Sequence, residues 1–363
     1  MLPRLLVTCV KGDPSEPVHW SGTPARLVQA LHESGRCEVV PCATLLAGHI
    51  DRWATRLDRA VGVEHPYIPG PARRALAYRQ AATAARAKNC AAILHLSTYD
   101  APLLKPSRPS YMFVDTSYDL WARQGDDARA LTASQHRLLG ALERRNIRCL
   151  EHIFTAGTHV VENFAAMMGV PRHRLTAVGT GLGEIQPFRG AKDYGARLLT
   201  VARARAEEKG LPLLLEAVTL ARRERGDLQL TVVGPDPGGT PPVGVHYTGW
   251  VEPAVLQQLF ERAALFVMPA RFEPWGLSYL EALSCRTPVV GLNRNAFPEI
   301  SGNGAFGYIA DASATPEQLA TLLLQALADP QELARKGAAG QQHVIAHSRW
   351  SRVADVMLDV MDL

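Results

Sequence analysis

The chain has 363 residues, 47% hydrophobic and 20% charged, with 39 Lys and Arg against 35 Asp and Glu. At roughly 150 residues per domain, that length predicts two or three domains with a sizeable core, and it excludes a disordered, fibrous or miniprotein chain. A net charge of +4 is too mild to demand nucleic acid, and no apolar run is long enough to span a bilayer.

The N-terminus, MLPRLLVTCVKGDPSEP, has a short apolar stretch and no small-residue cleavage site before Asp13. It reads as a first strand, not a signal peptide, which places the protein in the cytosol. Short apolar runs then alternate with amphipathic stretches, the pattern of parallel sheets with crossover helices. The first half predicts strands at Arg4–Cys9, Val39–Pro41, Ala92–Leu96, Ser110–Val114, Ile153–Ala156 and Leu175–Val178. Helices are predicted at Pro24–Glu33, Arg73–Lys88, Thr132–Arg145 and His159–Met168. The glycine-rich segment Gly179–Tyr194 reads as a linker. The pattern then restarts, with strands at Leu198–Val201, Leu228–Val233, Leu265–Met268 and Val289–Gly291. Its helices are Leu211–Arg223, Pro253–Arg262, Leu277–Ser284 and Pro316–Ala328. Apolar residues at helical spacing within Arg349–Leu363 predict a final helix.

The expected division is therefore residues 1–186, residues 187–345, and a terminal helix at 346–363 that packs back on the first domain. None of Cys9, Cys37, Cys42, Cys90, Cys149 and Cys285 forms a C-x-x-C pair, so structural zinc is not expected. The segment Asp51–Lys88 holds eight basic residues (Arg52, Arg56, Arg59, Arg73, Arg74, Arg79, Arg86 and Lys88) and three acidic ones (Asp51, Asp58 and Glu64). A solvated helix face is the plainer account, and an anionic surface the alternative.

The most informative stretch is VMPARFEPWGLSYLEALSCRTPVVGLNRNAFPE, from Val267 to Glu299. A strand ends near Met268, and a loop carries Glu273. Gly276 then opens a helix that contains Glu281. Ligands of open α/β sheets bind at the carboxyl ends of the strands, where this loop should lie. Helix-start N–H groups attract phosphate, and Gly276 allows an anion close to the backbone. Acidic residues beside a helix start can also simply complement its dipole, worth about 0.3–1 kcal/mol. The whole arrangement, not the isolated pair, separates the two accounts.

The run EPWGLSYLE resembles the Glu-x7-Glu motif of the retaining family-4 glycosyltransferases. The resemblance is specific over about residues 197 to 345 and weaker over 1–196. It implies a GT-B fold: α/β, with two doubly wound Rossmann-like domains facing across a cleft. It implies that Glu273 contacts donor-sugar hydroxyls and Glu281 the nucleotide ribose. LLTVARARAEEKGLPLLLEAV is similar to the family's strand–loop–helix with a basic pair, so Arg203 and Lys209 are expected to neutralise a diphosphate leaving group. Ala202 stands where the family usually has glycine, and Arg286 stands where a glycine is usual near the end of the Glu281 helix. By the same resemblance Gly234, Trp250 and Val251 flank the base, although core packing competes for Trp250. Trp275, Gly276 and Leu277 complete the donor-binding set.

In the first half, Ser21-Gly22-Thr23-Pro24 matches the place of the family's glycine-rich loop, so Gly22 is assigned to the donor. A helix capped by Thr23 explains the same residues. Asp115 stands where the family commonly has a histidine near the reacting sugar. It is expected to bind a sugar hydroxyl or position the acceptor, and a strand-end turn is the alternative. His95, on the preceding strand, is not a clean substitute.

The resemblance implies a retaining transferase that uses a nucleotide-diphosphate sugar, UDP- or GDP-linked, and a glycan, lipid-linked or small-molecule acceptor. No D-x-D motif appears near a strand end, so no metal or other cofactor is expected. A peripheral contact at the inner face of a membrane is compatible with the basic segment. A GT-B sugar-nucleotide epimerase and a non-catalytic nucleotide-sugar binding module are the alternatives.

Overall fold

A computed structural model describes residues 2–63, 68–203 and 205–363. The chain divides into two compact units. Unit 1 is Met1–Gly181 together with Arg349–Leu363, and unit 2 is Leu182–Ser348.

Unit 1 runs β1 (Arg4–Cys9), α1 (Thr23–Glu33), β2 (Glu38–Ala43), α2 (Gly48–Ala60), α3 (Pro71–Ala87), β3 (Ala92–His95), β4 (Ser110–Val114), α4 (Tyr118–Gln124), α5 (Ala133–Arg148), β5 (His152–Thr155), α6 (Thr158–Met168) and β6 (Leu175–Ala177). Unit 2 runs β7 (Arg197–Val201), α7 (Leu211–Ala221), β8 (Gln229–Val233), β9 (Val245–Tyr247), α8 (Pro253–Arg262), β10 (Leu265–Val267), α9 (Leu277–Ser284), β11 (Val289–Leu292), α10 (Phe297–Ile300), β12 (Gly307–Ala310), α11 (Pro316–Leu327) and α12 (Pro330–His347). The last helix, α13 (Trp350–Met361), belongs to unit 1.

Each unit holds a six-stranded sheet, ordered β2-β1-β3-β4-β5-β6 in unit 1 and β12-β11-β10-β7-β8-β9 in unit 2. Every strand pair in these sheets is parallel. Parallel strands covered on both faces need continuous apolar runs, and the fully buried Ala92–His95 and Val289–Leu292 are such runs. Chain order reverses between β1 and β3 in unit 1 and between β7 and β10 in unit 2. Such reversals open a crevice at the strands' carboxyl ends, where ligands of this architecture bind.

Local chemistry sets the helix starts. Thr132–Gln135 and Thr315–Gln318 form capping boxes that begin α5 and α11. The α1 start differs from the expected Thr23 cap: Gly22 is the cap, at φ +78, and Thr23 is the first helical residue. The basic segment forms two helices, and Arg52, Arg56, Arg59, Arg79, Arg86 and Lys88 are exposed on them as solvated charges. Asp58 of α2 is fully buried and accepts from the N–H groups of Gly70 and Ala72, at 3.0 and 2.7 Å, and from Arg73 Nε at 2.9 Å. Arg74 of α3 is buried as well. Glu64, counted among the acids of that segment, lies outside the described residues.

Helix α12 has no counterpart among the predicted elements. A Cβ at Gly337 would collide with Arg286 O, and one at Gly340 would lie 2.6 Å from Leu283 Cδ2. These glycines are small because α12 lies close against α9 and its end. The edge strands β9 and β12, three and four residues long, are too short to show a period. The stretch read as a linker is built into unit 2 beyond Gly181: Ile185 is buried and the Phe188 N–H donates to Ser284 O at 3.1 Å. All six cysteines are free, and Cys9, Cys37, Cys90 and Cys285 are buried.

Candidate active site

In unit 2 the predicted residues gather at the carboxyl ends of β7, β8 and β10. After β7 the chain runs through Ala202 and Arg203. A Cβ at Gly234, after β8, would lie 2.5 Å from Ala202 O, so only glycine fits beside that turn. The Arg203 guanidinium stacks over the Trp250 ring at 5.3 Å. Its Nε is buried without a hydrogen-bond partner among the described residues. Trp250 is 69% exposed, which excludes core packing as its role. Val251 packs partly against the core beside it.

The loop from Arg205 to Gly210 is strapped to the loop after β10. The Glu208 carbonyl accepts from the N–H groups of Arg271 and Phe272, at 2.7 and 3.3 Å. Gly210 adopts φ +74 as the cap of α7, and a Cβ there would collide with Pro269 O. Two backbones in contact therefore place Lys209 next to Glu273, and the Lys209 Nζ–Glu273 Oε2 distance is 3.2 Å. Both side chains keep about a fifth of their surface exposed (23% and 20%). The ammonium has three N–H donors, so the ion pair leaves it capacity for a further oxygen.

Gly276, at φ +85, opens α9 without a side-chain cap. A Cβ there would lie 2.5 Å from Tyr279 Cδ2 and 3.2 Å from Glu273 Cγ. Glycine thus lets Glu273 lie across the helix start, whose N–H groups carry partial positive charge. Burial and the nearby Glu273 raise the Tyr279 phenol well above its ordinary pKa, so it stays protonated and donates to Met268 O. That bond fixes the end of β10. Glu281 lies on the next turn of α9, and its carboxylate sits against Gly183, where a Cβ would collide with Oε1. Trp275 and Leu277 are half-buried against the core. Arg286, at the family's glycine position, keeps a left-handed φ of +56. Its guanidinium lies 5.3 Å over Phe188 and donates to Gly190 O.

Asp115 and Gly22 belong to unit 1. Trp20, Ser21 and Gly22 all have positive φ (+47, +54 and +78), a costly run for two non-glycine residues. It aims the Trp20 indole at Asp115, with Nε1 donating to Oδ2 at 3.2 Å. Asp115 lines a cavity of about 240 Å³ at the carboxyl ends of β1, β3 and β4, with Lys11, Trp20, Arg74, Trp121 and Glu143 on its wall. His95 is not on that wall: it is fully buried, with Nδ1 at 3.3 Å from Thr8 Oγ1 and 3.6 Å from Asp100 Oδ1.

Arg74 and Glu143 are additions the sequence reading missed. Both are 1% exposed. Both Glu143 oxygens accept from the Tyr118 N–H, at 2.9 and 3.0 Å. Burial pushes the Glu143 carboxyl up to about 7, and burial lowers the Arg74 guanidinium. The signal was their spacing: Leu139, Leu142, Glu143, Asn146 and Ile147 share the buried face of α5, and Arg74 leads the buried row Ala77, Ala81 and Ala85 of α3. A charge on a core-facing row is informative by itself.

Among the described residues, no group of three or more His, Cys, Asp and Glu side chains is placed to hold a metal ion.

Residues 195–329, within unit 2, match the family model described as Glycosyl transferases group 1. The alpha-maltose-1-phosphate synthase of Mycobacterium tuberculosis is 30% identical over 168 residues, 40% of this chain and 43% of that protein. The MMP alpha-(1->4)-mannosyltransferase of Mycolicibacterium hassiacum is 26% identical over 225 residues, 59% of this chain and 54% of that protein. The matched stretches thus span about half the length of these curated relatives or less. Likeness of structure extends further. Sucrose-phosphate synthase from Thermosynechococcus elongatus superposes over 99% of this chain and 98% of its own, with a TM-score of 0.73 at 16% identity. WaaG, a glycosyltransferase involved in lipopolysaccharide biosynthesis, covers 99% of both chains with a TM-score of 0.68 at 16% identity. The fold is that of the GT-B glycosyltransferases: two Rossmann-like α/β units.

Proposed function

We propose that the chain is a retaining hexosyltransferase of family 4 that moves a sugar from a UDP- or GDP-sugar to an acceptor hydroxyl in glycan, glycolipid or cell-envelope polysaccharide biosynthesis. The observation that carries this reading is the Lys209–Glu273 pair, held by backbone straps at the strand-order reversal of unit 2. The names of the matched relatives, a synthase and a mannosyltransferase, support the class of activity.

In this reading Glu273 binds sugar hydroxyls and Glu281, the second acid of the Glu-x7-Glu motif, binds the ribose. The exposed Trp250 and its neighbour Val251 flank the base. Arg203, Lys209 and the start of α9 neutralise the diphosphate as the bond from the anomeric carbon to its oxygen breaks. The acceptor oxygen bonds to that carbon on the same face, and its proton passes to the departing phosphate oxygen. Two side-chain cations fill the role a divalent metal plays elsewhere, so none is required. The cavity of unit 1, with Asp115, is assigned to the acceptor. The enzyme is placed in the cytoplasm, in peripheral contact with a membrane.

Glu273→Ala lowers turnover by about 10²–10³-fold, the range for removing one preorganised group from a reacting centre. Product formation with a panel of nucleotide sugars checks this, alongside circular dichroism to show an intact fold. A variant with near-normal turnover removes Glu273 from the mechanism. In the same assay a chelator of divalent cations leaves the wild-type rate unchanged. Arg203→Ala and Lys209→Ala each weaken nucleoside diphosphate binding by about 1.5–3 kcal/mol, the worth of a charged hydrogen bond. Unchanged calorimetric affinities in both would break the clamp.

A further inference from the structure

Unit 1 carries a second hollow at the end of its sheet away from Asp115, and neither site described above uses it. It measures about 770 Å³, within the range of small-molecule sites, and lies where β4, β5 and β6 begin. Its wall includes Lys105, Arg108, Arg148, Glu151, His152 and Arg174. Arg108 precedes β4 and Asp115 follows it, so about 20 Å of extended chain separates this hollow from the cavity that holds Asp115. Reactants of open α/β sheets bind at the carboxyl ends of the strands, so an occupant at this end is not a reactant.

The charge of the wall is unbalanced. Four permanent cations, Lys105, Arg108, Arg148 and Arg174, stand against one carboxylate, Glu151. Among the described residues none of the four is in an ion pair. Arg172, two residues before Arg174, shows the contrast: both its terminal nitrogens donate to Glu162, at 2.6 and 2.5 Å. Arg174 is pinned by backbone instead, donating to the carbonyls of Ile147, Leu150 and Glu151. Those bonds fix the place of its charge and leave the charge in force. Arg108 reaches only an amide oxygen, Asn89 Oδ1, at 3.5 Å. His152 is 8% exposed, with Nε2 at 2.9 Å from Thr176 Oγ1. Burial, then Arg174 and His173, lower its imidazole to about 4, so it adds a neutral polar group beside the cations.

A phosphate group carries about 1.5–2 negative charges near pH 7, so a single one does not balance this wall. Arginine forks match phosphate oxygens in pairs, and a concave basic site concentrates anions. A nucleic-acid strand is a poor occupant, because the cations line one hollow and not a groove that tracks a backbone. We propose that this hollow binds a soluble, multiply phosphorylated small molecule, with Lys105, Arg108, Arg148 and Arg174 on its phosphate oxygens, at a site separate from the transfer reaction. Nothing in this site depends on the donor residues of unit 2.

The test is calorimetric titration of the full chain with inorganic tripolyphosphate in the absence of divalent cations. Tripolyphosphate also resembles a donor diphosphate, so the titrated chain carries Arg203→Ala and Lys209→Ala, which remove the donor clamp. That chain still binds tripolyphosphate, and added salt weakens binding. Inorganic phosphate binds at least about tenfold more weakly. In the same background Lys105→Gln and Arg148→Gln each lower the affinity about tenfold, the loss of one charge-assisted hydrogen bond. Glu151→Gln raises it about threefold. Arg137→Gln, near the other end of α5 from Arg148, leaves it unchanged. These four positions are exposed, and unchanged thermal midpoints confirm the fold. Absence of binding, equal affinity for inorganic phosphate, or a loss at Arg137→Gln as large as at Arg148→Gln overturns the proposal. So does binding to anionic vesicles without binding to tripolyphosphate. Failure of the transferase reading looks different: a Glu273→Ala chain with normal turnover leaves these affinities as they are.

Discussion

The Lys209–Glu273 site of unit 2 and the cavity of unit 1 lie at the carboxyl ends of the strands of their sheets, yet they are made of different material. In unit 2 the backbone sets the geometry: Gly210, Gly234 and Gly276 allow contacts that no Cβ would permit, and few charged groups are deeply buried. In unit 1 side chains set it, through Trp20 on Asp115 and the buried Arg74 and Glu143. A backbone-built site tolerates no added atom. A site built on buried charge answers to pH. Substitutions that respect or violate this contrast separate the two.

The largest effect is expected at Gly210. Gly210→Ala combines a positive φ with a backbone collision, costing about 2–4 kcal/mol. It also shifts Lys209 away from Glu273, so both the urea midpoint and turnover fall. Gly249 is the control: it has φ +68, but a Cβ there would meet nothing within 4 Å. Gly249→Ala should cost only the left-handed backbone penalty of about 1–2 kcal/mol. Equal losses at the two positions would show that backbone contact is not what shapes this loop.

Next comes Glu143. Its carboxyl is raised from 4.5 to about 7 in the folded protein, so between those values the native state holds a proton that the unfolded chain has lost. Stability therefore falls as pH rises through that window and levels off above it, by up to about 3 kcal/mol. Glu143→Gln keeps the shape without the charge. It should match wild type near the acid end of the window and exceed it above pH 7, as urea midpoints across pH will show. Parallel profiles for the two proteins would deny Glu143 its buried charge.

The smallest effect is at Trp20. Trp20→Phe keeps the ring beside Phe113 but loses the Nε1–Asp115 bond, at a cost of about 1 kcal/mol. Acceptor KM should move more than donor KM if Asp115 serves the acceptor. A change confined to the donor would break that assignment.

The same contrast explains what could be read in advance. The fold was legible because continuous apolar strands and capped amphipathic helices are local signals, and β1 and β4 fall where the residue pattern puts them. Glu273, Gly276 and Glu281 were legible because one loop and one helix carry them all. The Lys209–Glu273 pairing joins residues 64 apart through a strap of backbone bonds and has no local signature. Arg74 and Glu143 were missed because each looks like one more surface charge until its helical row is aligned with the core.

Helix α13 has a consequence for how the chain comes to be folded. Its Met357 and Leu358 are buried in unit 1, and Arg36 of the first helix–strand connection reaches Asp359 at 2.7 Å. Unit 2 is a single uninterrupted span between the two parts of unit 1. Domains generally fold as units during synthesis, the earlier one first. Here the order of completion is inverted: the later span can close while the earlier sheet still waits, near the ribosome, for its last helix.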